Sequence, residues 1–136
     1  MSKREAMKIW IDGACWPNPG GPGGWGVVIQ QPGGETVELK GTFPAGPTSN
    51  NYAEYLALQA ALIWLGCAPP ARVTIYSDSQ LLVHQMTGRW KIKNGAYART
   101  AREAKEWIRQ YGRDKISIRW IPRERNTVAD GLSKGE

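Results

Sequence analysis

The chain has 136 residues, 41% of them hydrophobic, and a formal charge of +6. That size suits one globular domain spanning residues 1–136. No window approaches the roughly 18 apolar residues of a membrane span, and MSKREAMKIWIDG lacks the apolar run of a secretory signal, so a cytoplasmic protein without membrane contact is expected.

Residues 7–12, MKIWID, read as a strand ending at Asp12, followed by a Gly/Pro turn from Gly13 to Gly24. GWGVVIQQ and ETVELKGTF read as two further strands around Gly33-Gly34, which makes an antiparallel meander. A helix is predicted over about 51–65, a strand at 72–77 (RVTIYS) and a short helix at SQLLVHQM, then the loop TGRWKIKNG. From Ala96 to Tyr111, Tyr97, Ala101, Ala104, Ile108 and Tyr111 recur at helical spacing, with Arg102, Lys105 and Arg109 as an outer basic stripe. KISIRWI at 115–121 is a last strand, before the short segment NTVADGLSK. Hairpin strands followed by strands alternating with helices make an α/β mixed sheet with helices packed on it. Trp10, Trp64 and Trp107 are read as scaffold.

Charge is regional. Residues 88–125 hold twelve Lys/Arg against four Asp/Glu, net +8, which leaves −2 for the rest of the chain. Such an excess beside acidic chemistry points to a polyanion such as nucleic acid. Cys15 and Cys67 lack zinc-site spacing and are expected to be reduced, and His84 is the sole histidine.

Four acids interrupt apolar or small-residue contexts: Asp12 in WIDGAC, Glu54 in NNYAEYLAL, Asp78 in TIYSDSQLL and Asp130 in NTVADGLSK. Each has an ordinary reading. Asn51 to Glu54 fits a capping box with Glu54 in the first helical turn, Asp12 a turn, Asp78 an N-cap, and Asp130 a solvated end. Yet Glu54 also extends the stripe of Leu58, Ala61, Leu62 and Leu65, where an acid should be paired or metal-bound. Two strand-end aspartates and a helix-start glutamate could meet at one sheet edge. Their mutual repulsion calls for cations, and oxygen-only ligands suit Mg²⁺ or Mn²⁺. Two ions about 4 Å apart would hold a scissile phosphate, one activating water and the other stabilising the leaving oxygen.

The order DGACWPNPGGPGGWGVVI, TSNNYAEYLALQAAL, IYSDSQLLVHQM, NTVADGLSK resembles ribonuclease H of type 1, over about residues 7–134. The resemblance implies a ribonuclease H-like fold, a five-stranded mixed sheet in the order 3-2-1-4-5 with helices on both faces. It also implies an endoribonuclease that cuts the RNA strand of RNA/DNA hybrids to 3′-hydroxyl and 5′-phosphate ends. Asp12, Glu54, Asp78 and Asp130 then match its metal-binding catalytic acids, with two Mg²⁺ per site when substrate is bound and Mn²⁺ as the alternative. Asn18 and Ser49 match residues holding a DNA phosphate, the latter position being more often Thr. Cys15, Asn18, Asn50 and Gln80 match positions lining the minor groove, where 2′-hydroxyls distinguish RNA from DNA. Asn50 also reads as a cap and Cys15 as packing. Trp90 resembles an aromatic that packs on the DNA strand.

Two departures stand out. Only TGRWKIKNG occupies the place of a basic protrusion, so binding would rely on Lys91, Lys93, Arg99, Arg102, Lys105 and Arg109 and be salt-sensitive. The loop IPRERN lacks the histidine many members carry there; His84 reads as structural, and Arg123, Glu124 or Arg125 are candidates to compensate. The partner expected is an RNA/DNA hybrid, with the protein a monomer needing no protein partner. The rival readings are a catalytically silent hybrid-binding module and another nuclease on the same fold.

Overall fold

Along MKIWIDGAC the large apolar side chains alternate, and the strand they form, β1 (Met7–Cys15), sends Met7, Ile9 and Ile11 into the main core and Trp10 to the opposite face. The computed structural model describes residues 7–67 and 72–135. β2 (Gly23–Gln30) and β3 (Thr36–Phe43) continue the chain as an antiparallel meander. β4 (Val73–Ser77) lies parallel to β1, and β5 (Ile116–Trp120) lies parallel to β4. The sheet order is β3-β2-β1-β4-β5, as the resemblance implies. Among the described residues, no helix is long and apolar enough to cross a membrane.

The helices are α1 (Asn50–Gly66), α2 (Gln80–Met86), α3 (Ala98–Tyr111) and α4 (Thr127–Ser133). α1 covers β1 and β2 on one face and α3 packs on α1, around a core containing Ile9, Ile11, Val27, Ile29, Leu58 and Ile75. α4 covers the other face, where Ala129 and Leu132 meet Val28 and Trp10. Helices therefore lie on both faces, because β1 and β2 present apolar residues in both phases of their alternation. Trp10 stacks on Tyr76 and Trp107 on Tyr111, while Trp64 packs against the core, in keeping with scaffold roles.

Several expectations need correction. β1 does not stop at Asp12 but runs to Cys15, pairing Gly13 with Trp25 and Cys15 with Gly23. Gly13 is thus a strand residue rather than a turn residue; a Cβ there would collide with the Ala53 carbonyl group. The missing side chain lets α1 pass directly over β1. The Asn51–Glu54 capping box is not formed either. Ser49 caps α1, its Oγ accepting from the Tyr52 N–H at 3.0 Å, so the helix starts at Asn50 and Glu54 lies in the second turn. Ser79, not Asp78, caps α2, with Oγ accepting from Leu82 N–H at 3.1 Å. α3 begins at Ala98 rather than Ala96, and IPRERN contains a single 3-10 turn at Arg123–Arg125.

Candidate active site

Parallel pairing of β1 with β4 ends at Ile11 opposite Ser77, which leaves the next residues, Asp12 and Asp78, side by side at the sheet edge. Over this point passes the second turn of α1, brought close by Gly13, and it delivers Glu54. Asp12, Glu54 and Asp78 each offer a carboxylate oxygen, all within 4.8 Å of one another. Asp12 and Glu54 are buried, at 4% and 7% exposure, and Asp78 is half-buried. Asp130 comes from α4 on the opposite face. It shares a hydrogen bond with Asp12 and pairs with Lys134 Nζ at 3.1 Å, so it joins the group through Asp12 rather than as part of the tight trio.

The electrostatics follow from this crowding. Asp12 is pushed up to about 8, by burial first, then by the charge of Asp78 and by its hydrogen bond with Asp130. Glu54 is pushed up by burial and by the charges of Asp12 and Asp78, with Arg123 opposing. Burial also raises Asp130, but hydrogen bonds from Asp12 and Lys134 outweigh it and leave that carboxyl below its ordinary value. Glu54 Oε1 is buried without a hydrogen-bond partner. A buried acceptor left unmatched beside two further carboxylates is an uncompensated arrangement. Oxygen-only donors at this spacing fit a hard divalent cation, which would supply the missing positive charge.

Asn126, which sequence reasoning passed over, completes the geometry. It is 1% exposed, and its Nδ2 donates to the Ile11 carbonyl at 2.8 Å and to Asp78 Oδ2 at 3.3 Å. One amide thus ties β1, at the last residue it pairs with β4, to the carboxylate that follows β4. From sequence it reads as an ordinary loop residue; its place immediately before the helix bearing Asp130 was the one available signal. Trp120 Nε1 also donates to the Asp78 carbonyl, at 3.1 Å.

These acids floor a cleft of about 720 Å³ whose walls include Cys15, Asn50, Arg123 and Lys134. Asn50 Oδ1 accepts from the Cys15 N–H at 3.0 Å, and Asn18 Oδ1 accepts from the Asn50 N–H at 2.9 Å, so these three positions form one rim. The Cys15 thiol is buried against Pro17 and Asn18, and both cysteines are free. Ser49 adjoins the rim, its hydroxyl occupied in capping α1. Gln80 is exposed at the start of α2, outside the lining of the cleft. Trp90, Lys91 and Lys93 stand apart, exposed on the loop between α2 and α3, with the Trp90 ring 4.5 Å from that of His84. Of the residues proposed to compensate for the missing histidine, Arg123 borders the acids, whereas Arg125 lines a separate hollow with Trp10 and Val28.

Residues 11–135 match the family described as reverse transcriptase-like. The chain is 38% identical over 132 residues to the "Bifunctional protein Rv2228c" of Mycobacterium tuberculosis, covering 93% of this chain and 35% of that protein. It thus spans about a third of the length of these mycobacterial relatives. It is 35% identical over 147 residues to a ribonuclease H of Hyphomonas neptunium, covering 98% of this chain and 93% of that one. Among solved structures, LC11-RNase H1 in complex with an RNA/DNA hybrid superposes with a TM-score of 0.77 at 33% identity, covering 94% of each chain. With the fold, the meeting of the acids and 35% identity over nearly the full length of a ribonuclease H in agreement, the chain belongs to the ribonuclease H type 1 family.

Proposed function

We propose that this chain is an endoribonuclease that hydrolyses the RNA strand of RNA/DNA hybrids, leaving 3′-hydroxyl and 5′-phosphate ends. The observation that carries the reading is the meeting of Asp12, Glu54 and Asp78 within 4.8 Å where the pairing of β1 with β4 ends. A carboxylate trio in a cleft open to solvent is a poor device for merely binding a polyanion, since it repels phosphate unless cations intervene. Asp12, Glu54 and Asp78 would hold the divalent ions, with Asp130 contributing beside Asp12; two Mg²⁺ are the expected complement when substrate is bound, and Mn²⁺ the alternative. Such ions would lower the pKa of the attacking water and neutralise charge on the leaving oxygen.

The chain's own residues set the geometry for this. Asn126 fixes the orientation of Asp78 through its 3.3 Å bond, and Lys134 holds Asp130. Arg123 places a cation beside Glu54 and Asp130, where it offsets part of the negative charge left after product departs. Cys15, Asn18, Asn50 and Gln80 would face the minor groove, Ser49 and Asn18 a DNA phosphate, and Trp90, Lys91 and Lys93 the DNA strand. The support is the hybrid bound in the related LC11 complex and the rim that Cys15, Asn18 and Asn50 form beside the acids. All four acids come from one chain, so a monomer acting as a single catalytic domain suffices.

The test is cleavage of one RNA strand, free, paired with DNA and paired with RNA, in Mg²⁺ and in Mn²⁺, with Asp78→Asn as control. Hybrid-selective cutting that the substitution abolishes is the expected result. Hybrid binding without cutting in either metal would replace the reading with a silent binding module.

A further inference from the structure

Gln85 is an amide buried among apolar neighbours. It is 0% exposed, on α2 between Leu82 and Met86, both part of the main core. Burying an amide is favourable only where its polar atoms are matched, and here they are. Oε1 accepts from the Tyr55 hydroxyl at 2.7 Å, and Nε2 donates to the Lys91 carbonyl at 3.0 Å and to the Tyr97 hydroxyl at 3.1 Å. The Lys91 carbonyl can only accept, so the amide's orientation is fixed and both its protons are used.

The three partners come from three different places. Tyr55 follows Glu54 on α1, Tyr97 immediately precedes α3, and Lys91 lies in the loop that carries Trp90 and Lys93. The Tyr55 and Tyr97 rings stack with centroids 5.6 Å apart, which stiffens the frame around the amide. The loop's other anchors lie mostly at its start, where the Gly88 N–H donates to the Gln85 carbonyl and the Trp90 ring packs on His84. Residues 87–91 and 93–96 are exposed, Ile92 packs on the core, and the Arg89 and Trp90 N–H groups donate to the His84 carbonyl.

We infer that Gln85 is a positioning residue that registers the loop of Trp90, Lys91 and Lys93 against the acid-bearing helix α1, fixing how far from the acids the loop grips the nucleic acid. The inference rests on the proposed hybrid-cleaving function. It assigns Gln85 no contact with substrate; the amide acts through the Lys91 carbonyl.

The experiment compares steady-state cleavage of a short RNA/DNA duplex by the unsubstituted protein, Gln85→Leu and Lys91→Ala/Lys93→Ala, over a salt series, with deuterium exchange of residues 87–95 measured in parallel. Gln85→Leu is expected to raise KM about five- to tenfold with kcat within about twofold, because a loosened loop weakens binding more than it disturbs the acids. Exchange in the loop should quicken. The slope of log KM against log salt should flatten towards that of the double lysine variant, each lost phosphate contact removing roughly one unit. In the Gln85→Leu background the two lysine substitutions should add little, since their contacts are already lost. Where Gln85→Leu does not fold, Tyr97→Phe removes one bond of the same amide and should raise KM about twofold. Unchanged KM and salt slope in a folded variant from a protein that cuts hybrids would overturn the role of Gln85 alone. Absence of hybrid cleavage by the unsubstituted protein would instead overturn the functional reading, and the inference with it.

Discussion

Asp12 and Glu54 are both buried carboxyls held in a crowd of like charge. With the Asp12 carboxyl raised from 3.8 to about 8, chiefly by burial, the native metal-free state holds a proton that the unfolded chain releases near pH 4. Its stabilising contribution is therefore complete below about pH 4 and is lost as pH rises through about 8. Glu54 works in the same direction, whereas Asp130, held below its ordinary value, loses its contribution only at the acid end. In chelator, Tm is expected to fall between about pH 5 and 8; Asp12→Asn should flatten that fall, and Mg²⁺ should raise Tm most at the alkaline end. A Tm that climbs over this range in chelator would contradict it. Asn126 supports a second prediction. Asn126→Ala leaves the Ile11 carbonyl buried and unmatched, costing about 1–3 kcal/mol of stability. It also frees Asp78, and loss of such an orienting group typically costs 10–100-fold in metal affinity or activity. Metal titration and kcat should both register this, with hybrid KM nearly unchanged. Asp12, Glu54 and Asp78, which the structure brings together, stood out in sequence because each breaks an apolar or small-residue context and because the motifs around them resemble a family; Asn126 did not, because its role lies in a contact 115 residues away along the chain.

At the scale of elements, what sequence obscured was where strands and helices begin. Gly13 reads as the start of a turn, since glycine both ends strands and permits close approach, and only the partner across the contact distinguishes the two. That partner is the Ala53 backbone on α1. Gly13→Ala should therefore push α1 off β1 and separate Glu54 from Asp12, with a loss of about 1–3 kcal/mol as for other overpacked sites and a larger loss of activity than of stability. Thermal unfolding and a hybrid-cleavage assay on one preparation would check both; a variant as active as the parent would refute the close-approach role. The start of α1 was misplaced for a related reason. Ser49 and Asn51 are both good N-caps, and the box with Glu54 favours the second on local grounds. Glu54 instead lies in the second turn beside Asp12 and Asp78, and Ser49 takes the cap. Ser49→Ala should cost about 1 kcal/mol, while Asn51→Ala should cost little. By contrast the interior of α3 was plain, because Ala101, Ala104 and Ile108 leave one strongly apolar face that packing did not override.

Across the whole molecule, a mixed sheet with helices packed on it was legible from the alternation of element types and its strand order from the resemblance alone, but the strength of the basic surface was not legible from charge counts. Residues 88–125 carry a net +8, and six basic positions there were expected to hold substrate. In the folded chain Arg99 pairs with Glu103 and Arg109 with Glu106 on the same helix. Pairs spaced three or four apart form from helix geometry alone, so the same spacing that builds a basic stripe also partly neutralises it. Lys91, Lys93, Arg102 and Lys105 then have the most to offer a phosphate backbone. At nearly one unit of slope per neutralised phosphate, log affinity for a hybrid against log salt should be no steeper than about −4, and binding should weaken by about two orders of magnitude between 50 and 200 mM salt. Anisotropy titrations of a labelled hybrid with Asp78→Asn, which leaves the basic surface intact, would measure this without cleavage. A slope much steeper than −4 would call for further cations, either Arg123 and Lys134 of the cleft wall or Arg99 and Arg109 exchanging their glutamates for phosphate on binding. Glutamate substitutions separate the two. In the second case Glu103→Gln and Glu106→Gln should tighten binding at low salt, because the arginines would no longer have to leave a partner; in the first, or with a slope near −4, the same substitutions should change affinity far less.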